Sequence, residues 1–164
     1  MDRRLVAIIA SAALLGVMVA VVLVARGDGG GDSPAAEVST DLGEKPQPAI
    51  PEEAPPAELV TDDIVEGDGA TAAAGDTVTV QYVGVDYETG EEFDSSWERP
   101  EPFEFELGAG QVIPGWDEGI AGMKEGGRRQ LTIPPDLAYG RAGQPPAIGP
   151  DATLVFVVDL ESVK

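Results

Sequence analysis

Hydrophobic and polar positions change period several times along this chain, and each change marks a different kind of segment. Residues 5–25 are uncharged and almost wholly apolar. As a helix rising about 1.5 Å per residue, the run is long enough for a hydrocarbon core of about 30 Å. From 27 to 57 the apolar residues are few and irregular, first among glycines in GDGGGDSP and then among prolines in EKPQPAIPEEAPPAE. Such a stretch cannot bury a core and is expected to be a disordered or partly polyproline-like spacer. From residue 58 short strand patterns begin. Residues 59–66 suit a short edge strand. Residues 77–83, TVTVQYV, alternate strictly, with Val78, Val80 and Tyr82 on one face and Thr77, Thr79, Gln81 and Val83 on the other. Gly90 marks a hairpin turn into residues 91–96, and Phe103, Phe105 and Leu107 then alternate with Glu104 and Glu106. Residues 128–133 alternate again until Pro134-Pro135 stops them. Residues 153–163, TLVFVVDLESV, are apolar on both faces and free of Pro, which predicts a central strand.

One stretch departs from the period of two. In residues 111–123, QVIPGWDEGIAGM, Val112 and Ile113 are extended because the residue before Pro is pushed out of the α region. Pro114 then opens a helix, where its missing N–H costs nothing. Trp116, Ile120 and Met123 fall on one helical face, Asp117 and Glu118 sit in the first turn, and Gly126-Gly127 closes the element. Residues 137–150, LAYGRAGQPPAIGP, are too rich in Gly and Pro to be anything but a loop. The pattern predicts an α+β domain, residues 58–164, with a curved antiparallel β-sheet wrapped around one short α-helix. A single transmembrane helix, residues 1–26, and the spacer, residues 27–57, precede it.

Composition narrows the chemistry. The chain has no Cys and no His, which removes disulfides, thiol nucleophiles, the common zinc sites and His-based triads. A net charge of -20 argues against nucleic acid and against an anionic membrane surface. Arg3 and Arg4 before the apolar run, and the acidic stretch after Arg26, favour a cytoplasmic N-terminus and a domain outside the cytoplasm. The run is longer than a usual signal-peptide core and no convincing small-x-small cleavage site stands at its end, so an uncleaved anchor is preferred; cleavage would instead release a secreted domain.

Six pieces in register resemble FKBP-type peptidyl-prolyl isomerases: VQYVG around Tyr82, FDSS from Phe93, PFEFELG around Phe103, VIPGWDEGI, LAYG around Tyr139, and ATLVFVVDL near the end. The resemblance covers residues 58–164 and implies an enzyme that binds proline-containing polypeptides in an aromatic cavity. It implies Trp116 as the floor and Tyr82, Phe93, Phe103 and Phe156 as walls. Asp94 orders the polar rim, Arg99 is a basic residue placed to pair with it, and Tyr139 O–H and the Ile113 N–H bond substrate carbonyls. Val112, Ile148 and Gln144 complete the implied binding set. Gln144 and Ala147 stand where members often carry a ring and a larger aliphatic residue, which implies a more open rim and leaves affinity for rapamycin-type macrolides in question. The family needs no cofactor, and a monomer is expected. Rotation about X-Pro requires only preferential binding of the twisted imide, which a chain without His or Cys can supply. A non-enzymatic chaperone using the same cavity for Pro-containing segments is the alternative.

Overall fold

A computed structural model of the chain describes residues 37–164. The expected membrane anchor, and the spacer up to residue 36, lie outside the described residues. Six strands form one antiparallel sheet: β1 (Val60–Val65), β2 (Thr77–Asp86), β3 (Glu92–Ser95), β4 (Phe103–Glu106), β5 (Arg128–Ile133) and β6 (Leu154–Val163). The order is β1-β5-β6-β2-β3, with β4 also paired to β2. The long apolar strand β6 is central, flanked by β5 and β2, and β1 is an edge. β3 and β4 share one side of β2, β4 pairing at Val78 and Val80 and β3 at Val83 and Gly84.

The inner face of the sheet carries the core. Val78, Val80, Tyr82, Phe105, Leu131, Ile133, Phe156 and Val158 pack with Trp116, Ile120 and Met123. The helix α1 spans Pro114–Ile120 and is shorter than expected. Ala121 is already extended and Gly122 takes a φ of +87°, so Met123 reaches the core from a turn after the helix. A Cβ on Gly115 would stand 2.4 Å from Ile133 Cγ2, and one on Gly119 2.9 Å from Leu131 Cδ2. The two glycines thus let α1 lie directly on β5, which turns Trp116 into the space enclosed by the sheet. Side chains hold both ends. Asp117, expected to serve the helix dipole, accepts hydrogen bonds from the Gly108 and Gly110 N–H groups at 2.8 and 3.1 Å. Arg129 donates to the Gly119 and Ala121 carbonyls at 2.9 and 3.3 Å, and its Nε bonds Asp63 of β1 at 2.6 Å. A cation at the C-terminal carbonyls suits the helix dipole.

The outer face differs from expectation. Residues 37–53, read as part of an unpacked spacer, lie against it. Val38 is buried, and Ile50 packs beside Val83, Val85, Tyr87 and Val155. The polar frame is specific. Arg128 is fully buried and grips Asp159 with Nε and Nη2 at 2.6 and 2.7 Å, while Nη1 and Nη2 donate to the Ser39 and Glu44 carbonyls. Gln130 exchanges two hydrogen bonds with Ala49, at 2.9 and 2.7 Å. Composition misled here because two apolar side chains and a few carbonyls suffice when the strand opposite already supplies the partners. A short 3-10 turn at Pro135–Leu137 precedes the loop that carries Tyr139.

Candidate active site

Between the inner face of the sheet and the loops at its edge lies a cavity of about 310 Å3. Its base is Trp116 of α1. Tyr82 of β2, Phe93 and Asp94 of β3, Phe103 of β4 and Phe156 of β6 form the walls, and Arg99, Gln111, Val112, Ile113 and Tyr139 come from loops. Trp116 is only 4% exposed. Its ring meets Tyr82 at 4.9 Å and 80°, Phe156 at 5.2 Å and 86°, and Phe103 at 6.1 Å and 71°. Phe93 stands edge-on to Phe156 at 5.5 Å, and Phe105 backs Phe103 and Trp116 from the core. Edge-to-face contacts suit ring quadrupoles and fix each ring against its neighbour. The indole Nε1 of Trp116 is buried without a hydrogen-bond partner among the described residues.

The charged groups of the lining are paired with each other on one rim. Tyr82 O–H donates to Asp94 Oδ2 at 2.6 Å, Arg99 Nη2 donates to Asp94 Oδ1 at 2.5 Å, and Arg99 Nη1 donates to the Tyr82 hydroxyl at 3.2 Å. The guanidinium also lies 5.8 Å from the centre of the Tyr82 ring, a cation–π contact. The Ser95 N–H gives Asp94 Oδ1 a further bond at 2.9 Å. Burial, reinforced by the Asp94 carboxylate, pushes the Tyr82 hydroxyl up to about 12. Burial also raises Tyr139, with the Asp94 charge adding to it. Tyr139 stands 37% exposed at the lip. Both phenols therefore stay protonated at neutral pH, and Asp94 is engaged by three donors.

The structure thus brings together Tyr82, Phe93, Asp94, Arg99, Phe103, Val112, Ile113, Trp116, Tyr139 and Phe156. Gln144 and Ile148 do not line the cavity. They pair with each other through two backbone hydrogen bonds of 2.9 Å, Ile148 buried in the core and Gln144 exposed beside Ala147, and so close the loop that holds Tyr139. Two residues escaped the sequence reading. Gln111 lines the cavity while its Oε1 accepts from the Glu106 N–H at 3.0 Å. Gly84 lies beneath the walls: a Cβ there would come within 2.6 Å of Phe156 and 2.7 Å of Phe93. A glycine interrupting the alternation of β2 is the signal that could have found it, since strand glycines often mark close approach.

Residues 69–161 match the family model for FKBP-type peptidyl-prolyl cis-trans isomerase. The chain belongs to that family. It is an FKBP-type peptidyl-prolyl cis-trans isomerase with relatives above half identity. An FK506-binding protein of Streptomyces anulatus is 58% identical over 121 residues, covering 73% of this chain and 98% of that protein. A match covering 73% of 164 residues must begin at or before about residue 45, so it reaches into the segment ahead of β1. Among solved structures, FkpA from Escherichia coli is 47% identical with a TM-score of 0.59, covering 65% of this chain and 48% of that one. AtFKBP13 is 38% identical with a TM-score of 0.62, covering 67% and 96%. FKBP-type proteins bind proline-containing substrates and macrolide ligands, and this chain carries an aromatic cavity on the family's antiparallel sheet.

Proposed function

We propose that the cavity receives the prolyl ring of an X-Pro segment and accelerates its isomerisation by binding the twisted imide, in polypeptides folding outside the cytoplasm. The observation that carries this reading is the aromatic box itself: rings set edge-on around Trp116 in a cavity of about 310 Å3, with Asp94 and Arg99 neutralising each other at the rim. That volume lies at the small end of ligand pockets, about 300–1,000 Å3.

The barrier of about 18–20 kcal/mol comes from losing amide resonance. The planar imide has the larger charge separation, so an apolar enclosure disfavours it more than the twisted form. A substrate bent into a turn also brings one of its own N–H groups to the prolyl nitrogen as that atom becomes pyramidal. In this reading Tyr139 O–H and the Ile113 N–H hold substrate carbonyls, and Asp94 keeps Tyr82 and Arg99 in place without acting as a base. Catalysis is then differential binding of the transition state, with no proton transferred. Macrolides compete for the same cavity. The anchor in residues 5–25, with Arg3 and Arg4 before it, holds the domain on the outer side of the membrane.

Protease-free relaxation of a proline peptide tests the site. Trp116→Ala and Asp94→Ala are expected to slow it, and parental rates in both would remove the cavity from the mechanism. A reporter active only in the cytoplasm, fused after Lys164, is expected to be silent; robust signal would overturn the topology.

A further inference from the structure

The rim of the cavity is continuous, through one short turn, with the segment packed on the opposite face of the sheet. Residues 95–99 cross the sheet edge, and successive residues are anchored on different sides. Ser96 is fully buried, its Oγ accepting from the Tyr82 N–H at 2.8 Å and donating to Gln81 at 2.5 Å. Trp97 packs on the outer cluster that includes Ile50. Glu98 bonds Lys45 Nζ, which also holds Glu92 at 2.8 Å, and Arg99 turns back over the rim to Asp94. Lys45 therefore ties the residue two before Asp94 to the residue one before Arg99. The Lys45 ammonium is raised above its ordinary value by these hydrogen bonds, and Glu98 is lowered by the same contact.

We propose that residues 37–53 are a strap that positions the catalytic rim from behind, with Lys45 as the positioning residue that fixes Arg99 against Asp94 and Tyr82. The inference rests on the cavity being the isomerase site. Lys45 and the two carboxylates it holds, Glu92 and Glu98, are not among the residues lining the cavity, so its effect passes through Glu92 and Glu98. Without the bridge, Glu98 is left beside Glu92 without the Lys45 ammonium between them, and the turn bearing Arg99 loses its ion pair to the strap. The span from the outer face to the rim is thus one turn of chain.

The test uses the full chain and an uncharged proline peptide. Lys45→Gln is expected to lower kcat/KM about two- to fivefold, the range set by partly exposed ion pairs, whereas Lys45→Arg keeps the parental value. In an Arg99→Gln background, Lys45→Gln is expected to cost nothing further, because a residue acting through another is silent once that other is gone. Parental kcat/KM for Lys45→Gln would overturn the strap's role, and so would an equal loss in both backgrounds. Either result leaves the isomerase site standing. If Trp116→Ala and Asp94→Ala both isomerise at the parental rate, the assignment of the cavity fails first and takes the strap's catalytic role with it.

Discussion

Trp116 is at once core and site, and substitutions separate the two roles. Trp116→Ala removes a ring that is almost wholly buried, yet one side borders the cavity, so the expected loss is near the lower end of about 3–5 kcal/mol. Denaturant unfolding measures it, and kcat/KM on the still-folded variant should fall as the pocket becomes wet. Gly84→Ala is expected to slow turnover by a different route, pushing Phe93 and Phe156 out of their edge-on contact. Tyr82 gives a pH signature. Its hydroxyl is raised to about 12, against about 10 unfolded, so the folded state holds the proton more tightly. That stability is fully present below pH about 10 and is lost as pH rises toward 12. Tyr82→Phe should therefore flatten the alkaline fall in unfolding free energy between those values, measured by denaturant titration at each pH. A variant as alkali-sensitive as the parent would show that the Tyr82 proton is not what the fold protects.

At the scale of elements, the ion pair Arg128–Asp159 decides whether the segment before β1 is part of the domain. Both groups are buried on neighbouring strands, and among the described residues the carbonyls that Arg128 bonds are those of Ser39 and Glu44. Removing one charge strands the other, so Asp159→Ala is expected to destabilise by about 3–5 kcal/mol. A chain starting at Glu58, the domain boundary that the sequence pattern predicts, should unfold at lower denaturant than one starting at Glu37. Equal midpoints would return residues 37–53 to the spacer. The strands were legible because strict alternation in residues 77–83 and 103–107 leaves little choice of register once one face is buried. Trp116, Tyr82 and Phe156 were legible through the ordered pieces that carry the resemblance to FKBP-type isomerases. The strap was not, since Val38 and Ile50 stand alone among polar and proline residues and have no period to read. The hint lay elsewhere: an aspartate inside the apolar strand β6 implies a cationic partner, which Arg128 supplies, and that buried arginine in turn takes carbonyls from residues 39 and 44.

Over the whole molecule, charge is lopsided. Among the described residues Lys45, Arg99, Lys124, Arg128, Arg129 and Lys164 each hold a carboxylate, yet 30 acidic side chains face 10 basic ones in the whole sequence, which leaves the net charge at -20. Such a field steers cations. A proline peptide flanked by lysines should therefore lose kcat/KM as salt rises from about 0.01 to 1 M, over which the screening length falls from about 30 to 3 Å, and a glutamate-flanked one should gain. Equal, flat responses would confine the field's effect to solubility. Against that salt dependence, the pH profile of an uncharged peptide should be flat from about 6 to 8, where an unperturbed His would titrate, because the chain has no His and the cavity phenols titrate higher. A tenfold change across that window would reveal a proton transfer. The two faces of the sheet also differ in something an optical measurement can read. Trp97 and Trp116 are the chain's two tryptophans, one packed on the outer cluster with Ile50 and the other at the base of the cavity. Trp97→Phe leaves an emission spectrum that answers to whatever enters the cavity, and the difference from the parent isolates the indole beneath residues 37–53. Occupancy of the site and seating of the strap can thus be followed as separate fluorescence channels in a single cuvette, without an added dye.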